Sequence, residues 1–408
     1  MKQFNVPNIY RSTLISAIKD KRRADDKLKK DFSPTLLDFG KVQLYLARHF
    51  GFCYGVENAI EIAFNIIHQN TGKQIYLLSE MIHNPQVNAD LAALGVKFLQ
   101  DTYGRQLISF DDILSDDIVI IPAFGTTLEV EKILNDKGIT IEKYNTTCPF
   151  VEKVWNRSEQ IAKKGYSIIV HGKPRHEETR ATFSHASSKT PTVIVNDMNE
   201  AIELSKYIRK EKTPSEFYRE FHGKYSSGFD IENDLQRIGV VNQTTQLATE
   251  TQAISDFLKT TIKEFYNLTE QTVSEHFADT RDTLCYATND NQSSVKGLLE
   301  VDADIAIVVG GYNSSNTSHL VELCSEKLPT YFINSADKII SGKEIETCNW
   351  ESKELYIQEN FLPEKSPVKI LLTSGASCPD AIVEDVIKKI LSVYDAQENF
   401  ETFLEWFA

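Results

Sequence analysis

This chain of 408 residues has six cysteines but no CxxC pair. Closed zinc sites and ordinary electron-transfer iron–sulfur sites usually draw ligands in local pairs, so both are disfavoured. A P-loop, an HExxH helix and a strand-borne GxGxxG are also missing, which leaves nucleotide binding and zinc proteolysis without motif support. No apolar run approaches the roughly 20 residues that span a bilayer. The N-terminal stretch has no secretory apolar core, and Asp20, Asp25 and Asp26 argue against a transit peptide. The cytoplasm is therefore the expected location. Excess basic charge is lacking too. A net charge of −14 argues against general nucleic-acid binding, which needs a basic footprint. Neither a membrane nor a nucleic acid is expected as a partner.

What is present is ordinary globular composition, 41% hydrophobic and 25% charged, with length for about two to four domains. After a charged N-terminal extension over 1–41, strand and helix signals alternate. Strands are expected at 42–47, 118–122, 139–144, 166–171, 192–195, 238–242, 304–309, 330–333 and 368–373. Between them, helices are expected at 55–70, 127–137, 149–164, 198–208, 247–265, 291–300, 316–327 and 379–394, with one more capped by Asn84 and Pro85. Polar stretches at 211–234 and 341–365 break the rhythm and read as insertions, the first as a loop or hairpin. The alternation implies an α/β fold with mostly parallel sheets, whose ligands bind beyond the carboxyl ends of the strands. Three αβ units are expected, at 42–147, 148–284 and 285–394, followed by a tail over 395–408 aromatic enough to dock.

Cys53, Cys148 and Cys285 sit alone, one per third of the chain, each where a strand-like run gives way to a helix-like one. Any single cysteine is more often a buried inert thiol. Three at matching junctions suggest thiolate ligands of one metal centre with a coordination position left open. By contrast, Cys324 reads as helix core, Cys348 lies in the second insertion, and Cys378 is expected to pack. Ser314, Ser315 and Asn316 in NSSN, and Ser377 in SGASCPD, stand at strand ends where hydroxyls, amides and helix N–H groups form anion cradles or simply cap. With the nearby histidines they favour a phosphate or diphosphate. His176 and Glu178, read as part of an extended loop, can face one pocket and deliver a proton. Thr244 can orient such a carboxylate, and His83 ends another apolar run.

The ordered segments GFCYGV, EMIHNP, TTCP, HEETRAT, NQTT, LCYATND, NSSN and SGASCPD resemble the LytB/IspH family of 4-hydroxy-3-methylbut-2-enyl diphosphate reductases, over about residues 42–394. The resemblance implies three similar αβ units arranged as a trefoil around one central [4Fe-4S] cluster. It implies Cys53, Cys148 and Cys285 as its three ligands, with one iron open. It implies reductive removal of an allylic hydroxyl, giving isopentenyl and dimethylallyl diphosphate in the last step of the non-mevalonate pathway. Glu178 then matches the proton-relay carboxylate and Thr244 the threonine that supports it. His83, His176, Ser314, Asn316 and Ser377 match diphosphate-binding positions, while Ser315 and Thr288 match pocket positions. A reduced ferredoxin or flavodoxin is the implied electron donor. The chain departs from the pattern at PAFGTT, where Phe124 stands in place of a histidine and Thr126 or Thr127 is the available substitute. Its histidine–glutamate loop is about two residues longer; the HxExxxT spacing ending at Thr182 selects Glu178, with Glu177 the rival. Two other readings stay open on the residues alone: an iron–sulfur electron carrier or sensor, and a zinc-stabilised structural protein.

Overall fold

The computed structural model describes residues 4–28, 30–278, 283–397 and 400. The chain forms two compact units. The first runs to Glu61, resumes over Ile82–Ala89 and takes the chain from Tyr286 onward; the second holds Ile62–Met81 and Asp90–Cys285.

The first unit is built on a five-stranded sheet in the order Thr35–Asp38, Val42–Leu46, Val368–Ser374, Ile305–Val309, Thr330–Ile333. All neighbours are parallel except the Thr35–Asp38 edge. Its central strands read as near-continuous Val, Ile and Leu, because helices cover both faces of a parallel sheet. Ile305, Val308, Ile370, Leu372 and Leu44 are all at most 3% exposed. Val42–Leu46 inserts beside a strand more than 300 residues later, a pairing that no local signal encodes. Most of the N-terminal extension is folded: the helix Thr13–Asp25 buries Leu14, Ile15 and Ile18, and Lys19 Nζ bonds Asp380 at 2.7 Å.

The second unit carries two three-stranded parallel sheets. One is ordered Lys97–Phe98, Ile75–Leu77, Ile118–Ile120, and the other Thr192–Val195, Ser167–His171, Ile238–Asn242. The α/β character and mostly parallel sheets expected from the alternation are observed. Strands 192–195, 238–242 and 330–333 and the helix 198–208 match residue for residue.

Three expectations fail, each for a physical reason. Residues 139–144 form no strand. Ile139, Ile141 and Tyr144 are buried, which is what the alternation reported, but the backbone turns on itself through Tyr144 N–H to Ile141 O. The stretch 211–234 is not a polar loop. Thr213 and Glu216 form a capping box for the helix Pro214–Glu220, whose Phe217 is fully buried and packs within 5.5 Å of the rings of Tyr218, Phe221, Tyr225 and Phe229. The second insertion, for which the sequence reading names no structure, contains a hairpin, Glu344–Cys348 against Leu355–Glu359. Finally, the segment holding Glu178 is a helix, Glu177–Ser187, and not an extended loop. Of the tail expected to dock, Ala396 and Phe400 are buried against the core of the first unit, while 398, 399 and 401–408 lie outside the described residues.

Candidate active site

The three solitary cysteines share one local geometry. Each immediately precedes a helix: Tyr54–Gln69, Pro149–Ala162 and Tyr286–Leu298. Each donates its backbone N–H to a carbonyl just past the carboxyl end of a strand in its own unit. Cys53 N bonds Ala376 O at 3.2 Å, after Val368–Ser374; Cys148 N bonds Ala123 O at 2.9 Å, after Ile118–Ile120; Cys285 N bonds Thr244 O at 3.3 Å, after Ile238–Asn242. One cysteine is thus tied to each of the three parallel sheets. Helix N-termini favour negative charge and lower the cost of a thiolate.

In the second unit, Cys148 and Cys285 share their surroundings with Glu178. Burial pushes the Cys148 thiol up to about 12, and the neighbouring Cys285 and Glu178 charges act in the same direction. Left alone, this thiol stays protonated; a bound soft cation would reverse that balance. Glu178 is 1% exposed. Its Oε1 accepts from Thr244 N at 2.5 Å and its Oε2 from Thr244 Oγ1 at 3.0 Å. Thr244 therefore grips the carboxylate with its amide and hydroxyl while its carbonyl holds the amide of Cys285. The rival Glu177, also buried, points elsewhere: its Oε1 accepts from Ser79 Oγ.

His176 caps the Glu177–Ser187 helix by accepting from Glu178 N at 3.2 Å through Nδ1. With Nδ1 as acceptor, the neutral ring carries its proton on Nε2, where it can donate to an anion. Phe124 stands edge-on to His176, with ring centroids 5.6 Å apart. Thr127 caps the helix Leu128–Asp136, and Thr126 O faces His185 Nε2 at 3.3 Å.

In the first unit, Ser314, Ser315, Asn316 and Ser377 gather with His83. Ser314 caps the helix Ser315–Ser325 through Thr317 N, and Ser315 and Asn316 form its first turn, each 4% exposed. Asn316 Oδ1 accepts from Ala376 N at 2.9 Å and from Asn291 Nδ2 at 3.4 Å. Those donors fix which end of the amide is oxygen. They leave Nδ2 buried with no hydrogen-bond partner among the described residues. Ser377 Oγ donates to His83 O at 3.1 Å. Thr288, 1% exposed, lies in the first turn after Cys285. Gly310 and Gly375 both press against Thr317, so a Cβ at either would overlap that side chain. Cys324, Cys348 and Cys378 are buried free thiols, as the packing reading of Cys324 and Cys378 expects.

Sequence reasoning did not find Asn291, whose role depends on a contact with Asn316, nor the carbonyls that hold the cysteine amides. Side-chain motifs carry no signal for a backbone acceptor.

The LytB protein family model matches residues 44–391. The chain is 40% identical to a protein of a Picosynechococcus named 4-hydroxy-3-methylbut-2-enyl diphosphate reductase, over 94% of this chain and 89% of that one. A protein of the same name from a Synechocystis is also 40% identical, over 90% and 93%. Among solved structures, the E-1-hydroxy-2-methyl-but-2-enyl-4-diphosphate reductase from Plasmodium falciparum shares the fold, with a TM-score of 0.61 at 24% identity over 86% of this chain and 88% of that one. A second, described as (E)-4-hydroxy-3-methyl-but-2-enyl diphosphate reductase, the terminal enzyme of the non-mevalonate pathway, gives a TM-score of 0.50 at 26% identity over 85% and 98%. With its motifs, its fold and these relatives in agreement, the chain belongs to the LytB family.

Proposed function

We propose that this chain reduces 4-hydroxy-3-methylbut-2-enyl diphosphate to isopentenyl and dimethylallyl diphosphate. Two electrons and two protons are consumed, the allylic C–O bond breaks, and the oxygen leaves as water. The observation that carries this reading is the threefold use of Thr244, whose amide and hydroxyl hold the buried Glu178 while its carbonyl holds Cys285. A proton source is thereby built against a thiol donor.

Cys53, Cys148 and Cys285 would hold one [4Fe-4S] cluster and leave one iron without a protein ligand. The donor chemistry supports this reading: Cys285 is 8% exposed, each cysteine stands at a helix N-terminus, and soft thiolates suit iron–sulfur centres. When bound, such a cluster supplies electrons and Lewis acidity, which no side chain here can do.

The remaining steps belong to the chain. Glu178 holds the proton for the departing oxygen. A hydroxyl both donates and accepts, so Thr244 Oγ1 can take a proton from Glu178 Oε2 and pass its own onward. His176 Nε2, the orphaned Asn316 Nδ2 and the first turn of the Ser315–Ser325 helix are donors for the diphosphate. Binding at that end, remote from the reacting carbon, orients the substrate. A reduced ferredoxin or flavodoxin is the proposed electron donor and the cytoplasm the proposed location. Among the described residues no helix is long and apolar enough to cross a membrane.

Anaerobic purification followed by turnover tests the proposal. We expect a brown protein with about four irons per chain that consumes the hydroxylated diphosphate when reduced. Colourless protein holding only zinc, or iron-loaded protein inert toward this substrate, would overturn it.

A further inference from the structure

The Glu178–Thr244 contact has a second clasp directly beside it. Residues 178 and 179 lie on the Glu177–Ser187 helix, and residues 243 and 244 follow the strand Ile238–Asn242. Gln243 is 0% exposed. Its Oε1 accepts from Thr179 Oγ1 at 3.0 Å, from Lys173 N at 3.2 Å and from Gln246 Nε2 at 3.1 Å. Its Nε2 donates to Thr245 Oγ1 at 2.8 Å. One carboxamide therefore bonds the loop before the helix, the first turn of the helix and the loop that carries Thr244. Gly172 makes the closeness possible. A Cβ there would meet Thr179 Oγ1 at 2.6 Å and Gln243 Cβ at 2.9 Å.

We propose that Gln243 is a positioning residue that locks the Glu177–Ser187 helix to the Thr244 loop, so that Glu178 keeps both of its Thr244 contacts. Gln243 acts through its neighbours and needs no contact with substrate. A buried network of this kind is rigid only while each member is satisfied. Removing the amide leaves Thr179 Oγ1 and Lys173 N short of an acceptor and frees the helix terminus. Inserting a methyl at Gly172 should open the same clasp by wedging it, with all polar groups retained.

The inference rests on the proposed reductase activity for its kinetic arm only. Gln243→Leu should lower kcat about tenfold, equivalent to about 1.4 kcal/mol, with KM within about threefold and iron content unchanged. Thr179→Val removes a bond to the same oxygen. The double variant should therefore fall little further than Gln243→Leu alone, whereas independent effects would multiply. Hydrogen exchange on the full chain provides a readout that needs no activity. In Gln243→Leu and Gly172→Ala, amides of 177–180 and 243–246 should exchange faster while those of 305–309 and 368–374 stay as in the wild type. Multiplicative losses, a raised KM at unchanged kcat, or unchanged exchange at 243–246 would each overturn the proposal. If the wild type shows no reductase activity, the reductase reading falls and the exchange result still decides the clasp.

Discussion

The two units bury different chemistry and hold it with different materials. The second unit invests a buried carboxylate and two buried or half-buried thiols, with Thr244 donating to the carboxylate and accepting from the backbone amide of Cys285. The Ser314–Asn316 and Ser377 cluster of the first unit uses neutral donors: hydroxyls, one amide nitrogen and the open end of a helix. A charge-free cradle suits a permanent anion, because neutral dipoles stabilise it without titrating. A carboxylate beside thiols suits proton and metal chemistry, where the groups must change their protonation. The lesson is that burial alone does not separate the two clusters. What each buried group is bonded to separates them.

The comparison predicts where damage appears. The largest effect is expected from Cys148→Ala, which should abolish turnover and most bound iron, read by iron analysis and visible absorption. Full retention of iron would remove Cys148 from the ligand set. Next, Glu178→Gln should lower kcat by roughly 10²–10⁴-fold at unchanged iron content. Glu177→Gln, at a carboxylate bonded to Ser79 and not to Thr244, should keep most activity. The reverse order would hand the proton role to Glu177. Third, Asn316→Asp keeps the acceptor for Ala376 N and turns the orphaned donor into a carboxylate oxygen. We expect weaker binding of inorganic diphosphate by roughly 10–100-fold, the value of a hydrogen bond to a charged group, with kcat nearly intact. A kcat defect there without a binding defect would erase the contrast between the units. The smallest effect is expected from Gly375→Ala, whose new methyl would press on Thr317. Overpacking of this kind costs about 1–3 kcal/mol, seen as a fall of a few degrees in the thermal midpoint.

Much of the fold was legible because parallel strands covered on both faces write their burial directly into Val and Ile runs, as in 238–242 and 305–309. Residues 139–144 carry the same burial signal without a strand, since alternation reports where side chains go and not where backbone hydrogen bonds go. The 211–234 segment failed in the opposite sense. Its charges dominate the composition, yet a few aromatics spaced along it decide its structure. At the site, Cys148, Glu178 and Thr244 could be named from residue type and spacing. Counting through the HxExxxT spacing favours Glu178 over Glu177, but it carries no information on what either carboxylate bonds to. Those contacts depend on which helix position faces Thr244, and the extended-loop reading of this segment had the local geometry wrong.

By itself the sequence determined the inventory: three solitary thiols at strand-to-helix junctions, two runs of small polar residues at strand ends, and a histidine with two adjacent carboxylates. These are local properties, carried by residue type and by helix and strand periods. Only the tertiary structure decided the pairings. It inserted Val42–Leu46 beside Val368–Ser374, gave Cys53, Cys148 and Cys285 the same backbone anchor on three different sheets, and turned Glu178 to Thr244 and Glu177 to Ser79. The reason is physical. Each of these outcomes is a hydrogen bond between groups far apart in the chain, and its energy exists only once packing has brought them within about 3 Å.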